Sequence, residues 1–228
     1  MNAIARRRLA HIYMESDPLT YTPLHRTAWW VVNRCPVLTT VFGGYVRDVL
    51  VGDSPNDIDV RIPFNAQIGD FCDALGQWAA TVDPSATVTA TVRPRRAAAL
   101  IEVAMAGATV RVDVVHSGMC SEYPSCDANN VSIRNRAVRE IVPSPNGLDG
   151  CIANILQRRY VRYDGCGNEN GMARLRARGW VEIPRGDVLP GGRRQFDVHE
   201  VCELVSGPAE SSQELLPTPV DVSLRQTS

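Results

Sequence analysis

The chain has 228 residues with 44% hydrophobic content, enough for one sizeable packed domain or one plus a small appendage. A formal net charge of −1 excludes a global basic field for nucleic acid, leaving Arg6-Arg7-Arg8, Arg93 to Arg96 and Arg158-Arg159 as solvated faces or local contacts. All 24 basic residues are arginine, so any phosphate contact must come from Arg, backbone N–H or a metal.

Seven cysteines are scattered at Cys35, Cys72, Cys120, Cys126, Cys151, Cys166 and Cys202, an odd number with no C-x-x-C pair. That pattern predicts reduced thiols and argues against a disulfide framework or a structural zinc site. The opening MNAIARRRLAHIYMESD has a basic start but no apolar run long enough for a signal peptide or a membrane span. The expectation is a soluble, intracellular, cytoplasmic protein with no membrane partner.

Residues 1–20 are mixed, with a short helix ending before Asp17-Pro18. The run TPLHRTAWWVVNR (22–34) predicts a helix with Pro23 near its start and Trp29, Trp30 and Val32 facing a core. A strand over 37–42 follows, then the turn at Gly43-Gly44, a short helix over 45–51 ending at Gly52, and a strand over 57–62 closed by Pro63. Apolar residues at Ile68, Phe71, Leu75 and Trp78 have the spacing of an amphipathic helix over 66–80. Strands over 86–92, 98–105 and 108–116 complete the series, the last two joined by Ala106-Gly107. In the last strand Val110, Val112 and Val114 share one face and Arg111 and Asp113 the other.

The chemistry concentrates in Gly43 to Asp59. Side chains alternate along a strand, so Asp57 and Asp59 emerge on one side while Ile58 and Val60 point into a core. Adjacent like charges are costly without a cation, and a hard divalent ion such as Mg²⁺ is the usual reason to build the pair. Gly43 and Gly44 let the backbone approach phosphates, and the helix behind them offers free N–H groups and a positive dipole end. Asp48 reads as a helix charge or a supporting residue rather than a ligand.

The stretch GGYVRDVLVGDSPNDIDV resembles the signature GGxVRDxLLGxxxxDxD of the class II nucleotidyltransferases, which include CCA-adding tRNA nucleotidyltransferases and bacterial poly(A) polymerases. Every fixed position fits except that Val51 replaces a leucine. The resemblance implies an α+β fold of the nucleotidyltransferase (polymerase beta-like) kind, with a mixed, mostly antiparallel sheet and helices on one side. It implies Asp57, Asp59 and Asp113 as catalytic ligands of two Mg²⁺ ions, with Asp113 on a strand antiparallel to that of the Asp pair. Gly43, Gly44 and Arg47 would meet the triphosphate, Arg47 either touching a phosphate or pairing with a nearby carboxylate.

Ser125 to Val131 occupies the place of an RRDFTxNA-like segment that contacts ribose and phosphates, making Asp127 and Asn130 nucleotide-binding candidates. Both arginines and the aromatic are missing here, and a capping aspartate is the alternative for Asp127. Residues 146–152 resemble the family's Gly-(Leu/Ile)-x-Asp turn, leading to a helix and a strand over 159–163. The segment Gly171 to Trp180 is similar to the start of the arginine-rich neck.

The expected organisation is an N-terminal helical segment (1–34), a head (35–142), a neck-like extension (143–183) and a polar, disordered tail (184–228). The resemblance covers roughly 35–180, and such a reduced head-only member is similar to nucleotidyltransferase-like proteins of large DNA viruses and phages. It implies transfer of a nucleoside monophosphate from an NTP, ATP or CTP, to an RNA or tRNA 3′ hydroxyl, with a protein partner supplying missing RNA-binding surface. The alternatives are a nucleotide-binding module without productive catalysis and a toxin-like enzyme modifying protein or tRNA. His11, His25, His116 and His199 form no recognisable catalytic pair, and there is no G-x-S-x-G, P-loop or H-E-x-x-H motif.

Overall fold

The computed structural model describes residues 3–93, 98–117, 124–163 and 168–184. The basic patch beyond Arg93, Cys120, Cys166, Cys202, His199 and the tail from 185 lie outside the described residues. Segments with period-two alternation form strands β1 (Thr40–Phe42), β2 (Ile58–Ile62), β3 (Thr87–Arg93), β4 (Ala98–Met105), β5 (Ala108–His116), β6 (Val131–Arg134) and β7 (Ala137–Glu140). They pair in the order β3-β4-β5-β2-β1-β6-β7, antiparallel throughout except for β2 with β5. Helices are α1 (Ala3–Arg8), α2 (Pro23–Asn33), α3 (Gly44–Val51), α4 (Ile68–Val82), α5 (Gly147–Leu156) and α6 (Glu169–Ala177). A separate parallel pair joins β8 (Arg159–Tyr160) to β9 (Val181–Glu182). The class is α+β, with a mostly antiparallel sheet as expected.

One parity of each central strand builds the core. Ile58, Val60 and Ile62 of β2, Val110, Val112 and Val114 of β5, and Ile101 and Val103 of β4 are buried. They are covered by α2, α3 and α4, where Phe71, Leu75 and Ala79 form a single buried stripe. Trp30 stacks on Trp78 at 5.4 Å between centroids and meets Phe71 edge-on at 6.2 Å. A fully buried large side chain such as Phe71 contributes about 1.5–3 kcal/mol. The other parity, which includes Thr89, Thr91, Arg111, Asp113, Asp59 and Arg61, is exposed or half-buried.

Strand direction differs from the expectation in one place. The strand bearing Asp113 runs parallel, not antiparallel, to the one bearing Asp59. The chain leaves β2 through α4 to the far edge, and two antiparallel reversals then return β5 beside β2 in the same direction.

Other differences are local. The first strand begins at Thr40 rather than residue 37 because Thr39 donates its hydroxyl to the Val31 carbonyl at 2.6 Å, holding the chain against the end of α2. The hairpin of β6 and β7 was not anticipated; Asn135 and Arg136 turn it with φ of 49° and 59°, the left-handed pair that a two-residue hairpin loop needs. The strand expected over 159–163 is reduced to β8, with Arg162 forming an isolated bridge to Cys126.

The described cysteines, Cys35, Cys72, Cys126 and Cys151, are free, and burial pushes the Cys126 thiol up to about 12 and those of Cys35 and Cys151 to about 11. Among the described residues no helix is long and apolar enough to cross a membrane.

The N-terminal segment is pinned to α2 and α3. Arg26 makes a two-pronged pair with Asp17 at 2.8 and 2.7 Å, and the Trp29 indole donates to the Met14 carbonyl at 2.9 Å. The buried Tyr45 hydroxyl meets His11 Nε2 at 2.8 Å and His25 Nδ1 at 2.9 Å, with the two imidazoles 4.6 Å apart. Burial, with the neighbouring His25 charge adding to it, pulls His11 down to about 3, and burial lowers His25 as well. A histidine held neutral in the fold costs stability wherever the unfolded chain protonates first. Thermal stability measured against pH is therefore expected to fall as pH drops below about 6.5 and towards 3. Replacing Tyr45 with Phe is expected to cost about 1–3 kcal/mol at neutral pH, because both rings lose their shared buried partner.

Candidate active site

The turn between β1 and α3 is built for close approach. Gly43 has φ +66° and ψ −127°, a conformation only glycine adopts without strain, and a Cβ there would stand 3.1 Å from Asp59 Oδ2. Its N–H donates to the Val131 carbonyl at 3.2 Å, which ties the turn to β6. The Gly44 N–H, at the start of α3, donates to Asp59 Oδ2 at 3.3 Å. Gly52 closes the helix in the left-handed conformation, its N–H donating to the carbonyls of Asp48 and Val49.

The carboxylates converge by register. Asp59 lies opposite Asp113 across the β2–β5 ladder and opposite Phe42 across β1–β2, which puts both acids on the same sheet face. Asp57 precedes β2 by one residue with the parity of Asp59. Burial, followed by the Asp57 charge, raises Asp59 to about 7, and Asp113 adds to the shift; the Gly44 N–H and Arg47 oppose it. Asp57 is also raised, first by burial and then by Asp113 and Asp48, with Arg47 and Arg174 opposing.

The donor set suits a hard divalent cation: oxygen ligands only, mutually repelling, in a spot where protein cations do not fully compensate them. Among the described residues, no group of three or more His, Cys, Asp or Glu side chains is gathered closely enough to hold a metal ion as it stands.

Arg47 turns inward. Its Nε donates to Asp48 at 2.7 Å and its Nη1 to Asn129 Oδ1 at 2.6 Å, while the guanidinium sits 5.7 Å from the centre of the Trp180 ring. Asp48 is buried and takes a second cation, Arg178, at 3.1 Å. Asp53, just beyond α3, accepts from Arg158 at 2.9 and 2.6 Å and from Arg178 at 3.1 Å. These pairs clamp the segment after β7 onto the motif helix. Neither Arg178 nor Asn129 was singled out from the sequence; the only signal for the first was the arginine spacing in residues 174–178.

Asp127 and Asn130 are buried and engaged within the protein. Asp127 accepts from the Val161 N–H at 2.7 Å and Asn154 at 2.5 Å. Asn130 bonds the Val142 carbonyl at 2.8 Å, the Val142 N–H at 2.9 Å and the Tyr163 hydroxyl at 2.9 Å. Asn129, between them, is the residue that reaches the motif. His116, at the end of β5, bonds the Ala66 carbonyl at 2.9 Å.

No protein-family model and no curated protein matches the chain. Among solved structures it is similar to a CCA-adding enzyme in complex with CTP, with TM-score 0.43 and 13% identity over 69% of this chain and 36% of that one. A structure described as tRNA-processing enzyme complex 3 has TM-score 0.41 and 14% identity over 64% and 40%. The Thermotoga maritima CCA-adding enzyme complexed with tRNA has TM-score 0.36 and 16% identity over 54% and 28%. The chain thus spans well under half the length of these proteins, and the functional reading rests on its own motif and carboxylates.

The Asp59 shift has a stability consequence. A carboxyl raised from 3.8 to about 7 binds its proton more tightly in the fold than in the unfolded chain, so its contribution is lost as pH rises through that window. The variant Asp59→Asn is expected to melt higher than wild type at pH 8, with the gap closing by pH 4. Added Mg²⁺ is expected to raise the wild-type melting temperature and leave that of the variant unmoved, both read by thermal unfolding.

Proposed function

We propose that the chain is a metal-dependent nucleotidyltransferase, transferring NMP from an NTP, ATP or CTP, to the 3′ hydroxyl of an RNA such as tRNA. The observation that carries this reading is the placement of Asp59 opposite Asp113 and against the Gly43-Gly44 turn at the start of α3. A glycine turn, a helix N-terminus and carboxylates with no full complement of protein cations together suit a metal-bound triphosphate. On this reading residues 35–142 are the head, 143–183 a neck-like extension, and a protein partner supplies further RNA-binding surface.

Asp57, Asp59 and Asp113 would hold two Mg²⁺ ions, which when bound lower the pKa of the acceptor hydroxyl and offset charge on the departing pyrophosphate. The acceptor oxygen bonds to the α-phosphorus, the bond from that phosphorus to the β-bridging oxygen breaks, pyrophosphate departs, and the hydroxyl proton passes to solvent. Gly43 and Gly44 admit the phosphates to backbone N–H range. Arg47, locked by Asp48 and Asn129, fixes the pitch of α3 and adds positive potential beneath the turn. No side-chain general base is needed.

A second reading, a module that binds NTP without turnover, is favoured by one observation: Asp127 and Asn130 face inward and are occupied with protein partners.

The test is label incorporation and pyrophosphate release from each of the four NTPs with Mg²⁺, using mixed tRNA and short RNA primers. Wild type is expected to incorporate label, and the Asp57→Ala/Asp59→Ala variant to lose it by at least about a thousand-fold, the scale of removing transition-state charge stabilisation. Full activity in the variant sinks the assignment, whereas NTP binding by wild type without incorporation selects the second reading.

A further inference from the structure

The N-terminal segment holds α3 at both ends. At the far end the Arg8 guanidinium donates to the Leu50 carbonyl and lies against Gly52, where a Cβ would stand 3.3 Å from Arg8 Cζ. At the near end Tyr45, the second residue of α3 and wholly buried, meets His11 from the single 3₁₀ turn Ala10–Tyr13 and His25 from α2. Tyr45 follows Gly44 directly, and the Gly44 N–H donates to Asp59 Oδ2 at 3.3 Å. A displacement of Tyr45 therefore displaces the glycine turn.

One hydroxyl serves both rings only in certain protonation states. The phenol has one proton to donate and lone pairs to accept with, so one imidazole donates to its oxygen while the other accepts its proton. Both contacts survive with both rings neutral, and also with the donating ring protonated. With both rings protonated each can only donate, which strands the buried hydroxyl proton and sets two like charges 4.6 Å apart. The surrounding groups give no counter-charge. Tyr21 presents its ring to His11 at 5.3 Å and to His25 at 6.1 Å between centroids, Asp17 is matched by Arg26, and Glu15 is exposed. From α1, Arg8 is engaged by the Leu50 carbonyl, Arg6 bears on Tyr13, and Arg7 is exposed; from α3, Arg47 and Asp48 hold each other. Beside burial, the charge acting on His11 is that of His25. The doubly charged state is relieved by parting the rings, and the helical pieces of six and four residues that carry the N-terminal segment have little stability of their own once they part.

We infer that His11 and His25 are positioning residues of the candidate site: through Tyr45 they hold the Gly43-Gly44 turn against Asp59, and protonation of both releases the N-terminal segment and loosens the turn. The part this plays in nucleotide binding rests on the function proposed above. The release is separate from proton uptake by the carboxylates themselves.

The experiment is amide hydrogen exchange of the full chain without nucleotide or metal, read by mass spectrometry over residues 3–22 and 43–52 at about pH 7.5 and about pH 5.5, with the intrinsic rate at each pH divided out. Wild type is expected to lose protection in both segments together, by about ten- to a hundred-fold at the lower pH, because each imidazole that regains its ordinary value of 6.5 on opening favours opening about tenfold one unit below it. In His11→Gln/His25→Asn the side-chain amides stand where Nε2 and Nδ1 stood and do not titrate, and protection is expected to be the same at both pH values. His25→Asn alone, at a half-buried position, carries the comparison if the double variant does not fold, with an expected loss of about tenfold or less. Tyr45→Phe is expected to be poorly protected over 43–52 already at the higher pH, and to bind ATP and CTP with Mg²⁺ about tenfold more weakly than wild type. Unchanged wild-type protection at the lower pH overturns the release, and a loss confined to 3–22 overturns the hold on the turn. A loss as large in the histidine variants as in wild type assigns the effect to other groups and overturns the inference. Absence of triphosphate binding by wild type overturns the reading of the site, while a coupled loss of protection still supports the hold on the turn.

Discussion

Asp59 and Asp113 are held side by side across the β2–β5 ladder, where like charges repel, and the surrounding structure has to outweigh that repulsion. The force comes from the opposite face of the same strands. Ile58 and Val60 flank Asp59, Val112 and Val114 flank Asp113, and all four are buried under the helices. A slip of one residue in this register would expel those side chains into water and turn the acids into the core. The hydrophobic layer thereby fixes the acids more firmly than any contact made by the acids themselves. Among the described residues the Gly44 N–H is the backbone donor given to Asp59, and it only partly offsets burial and the neighbouring charges.

A second constraint ties distant parts of the sequence together. Asp48 and Asp53 of the motif segment receive Arg178 and Arg158 from far along the sequence, and Arg47 lies between Asp48, Asn129 and Trp180. Asp48 and Arg47 are largely desolvated, so this cluster is worth more for position than a surface pair of the same geometry. The pitch of α3, and with it the direction of the Gly43-Gly44 turn, depends on residues that come after the sheet is complete.

Much of this was legible in the amino-acid sequence, for identifiable reasons. Alternation placed β3, β4 and β5 to within a residue, and glycine spacing located both ends of α3. Strand direction was not legible, since period-two patterning is the same whichever way a strand runs; the parallel β2–β5 pair follows from the α4 crossover. The β6–β7 hairpin was hidden because its turn uses Asn135 and Arg136 in place of an Asn-Gly signal. Asp127 and Asn130 show the limit for site residues: a polar side chain in an apolar stretch needs a partner, and sequence does not say whether that partner is a ligand or Val161, Asn154 and Val142. Parity alone placed Asp57 and Asp59 on one side, whereas Asp113 joined them only through the resemblance, and the ladder of β2 with β5 puts Asp113 opposite Asp59.

The position of β5 also governs when the acids meet. Asp59 and Asp113 are separated along the chain by the whole of α4, β3 and β4, so their side-by-side placement requires a long loop to close. During synthesis, Asp57 and Asp59 emerge well before their partner, in a nascent polypeptide where the burial and the Asp113 charge that raise their proton affinity do not yet exist. The share of the electrostatic cost that comes from Asp113 thus falls on the chain only after β3 and β4 have supplied apolar surface to outweigh it.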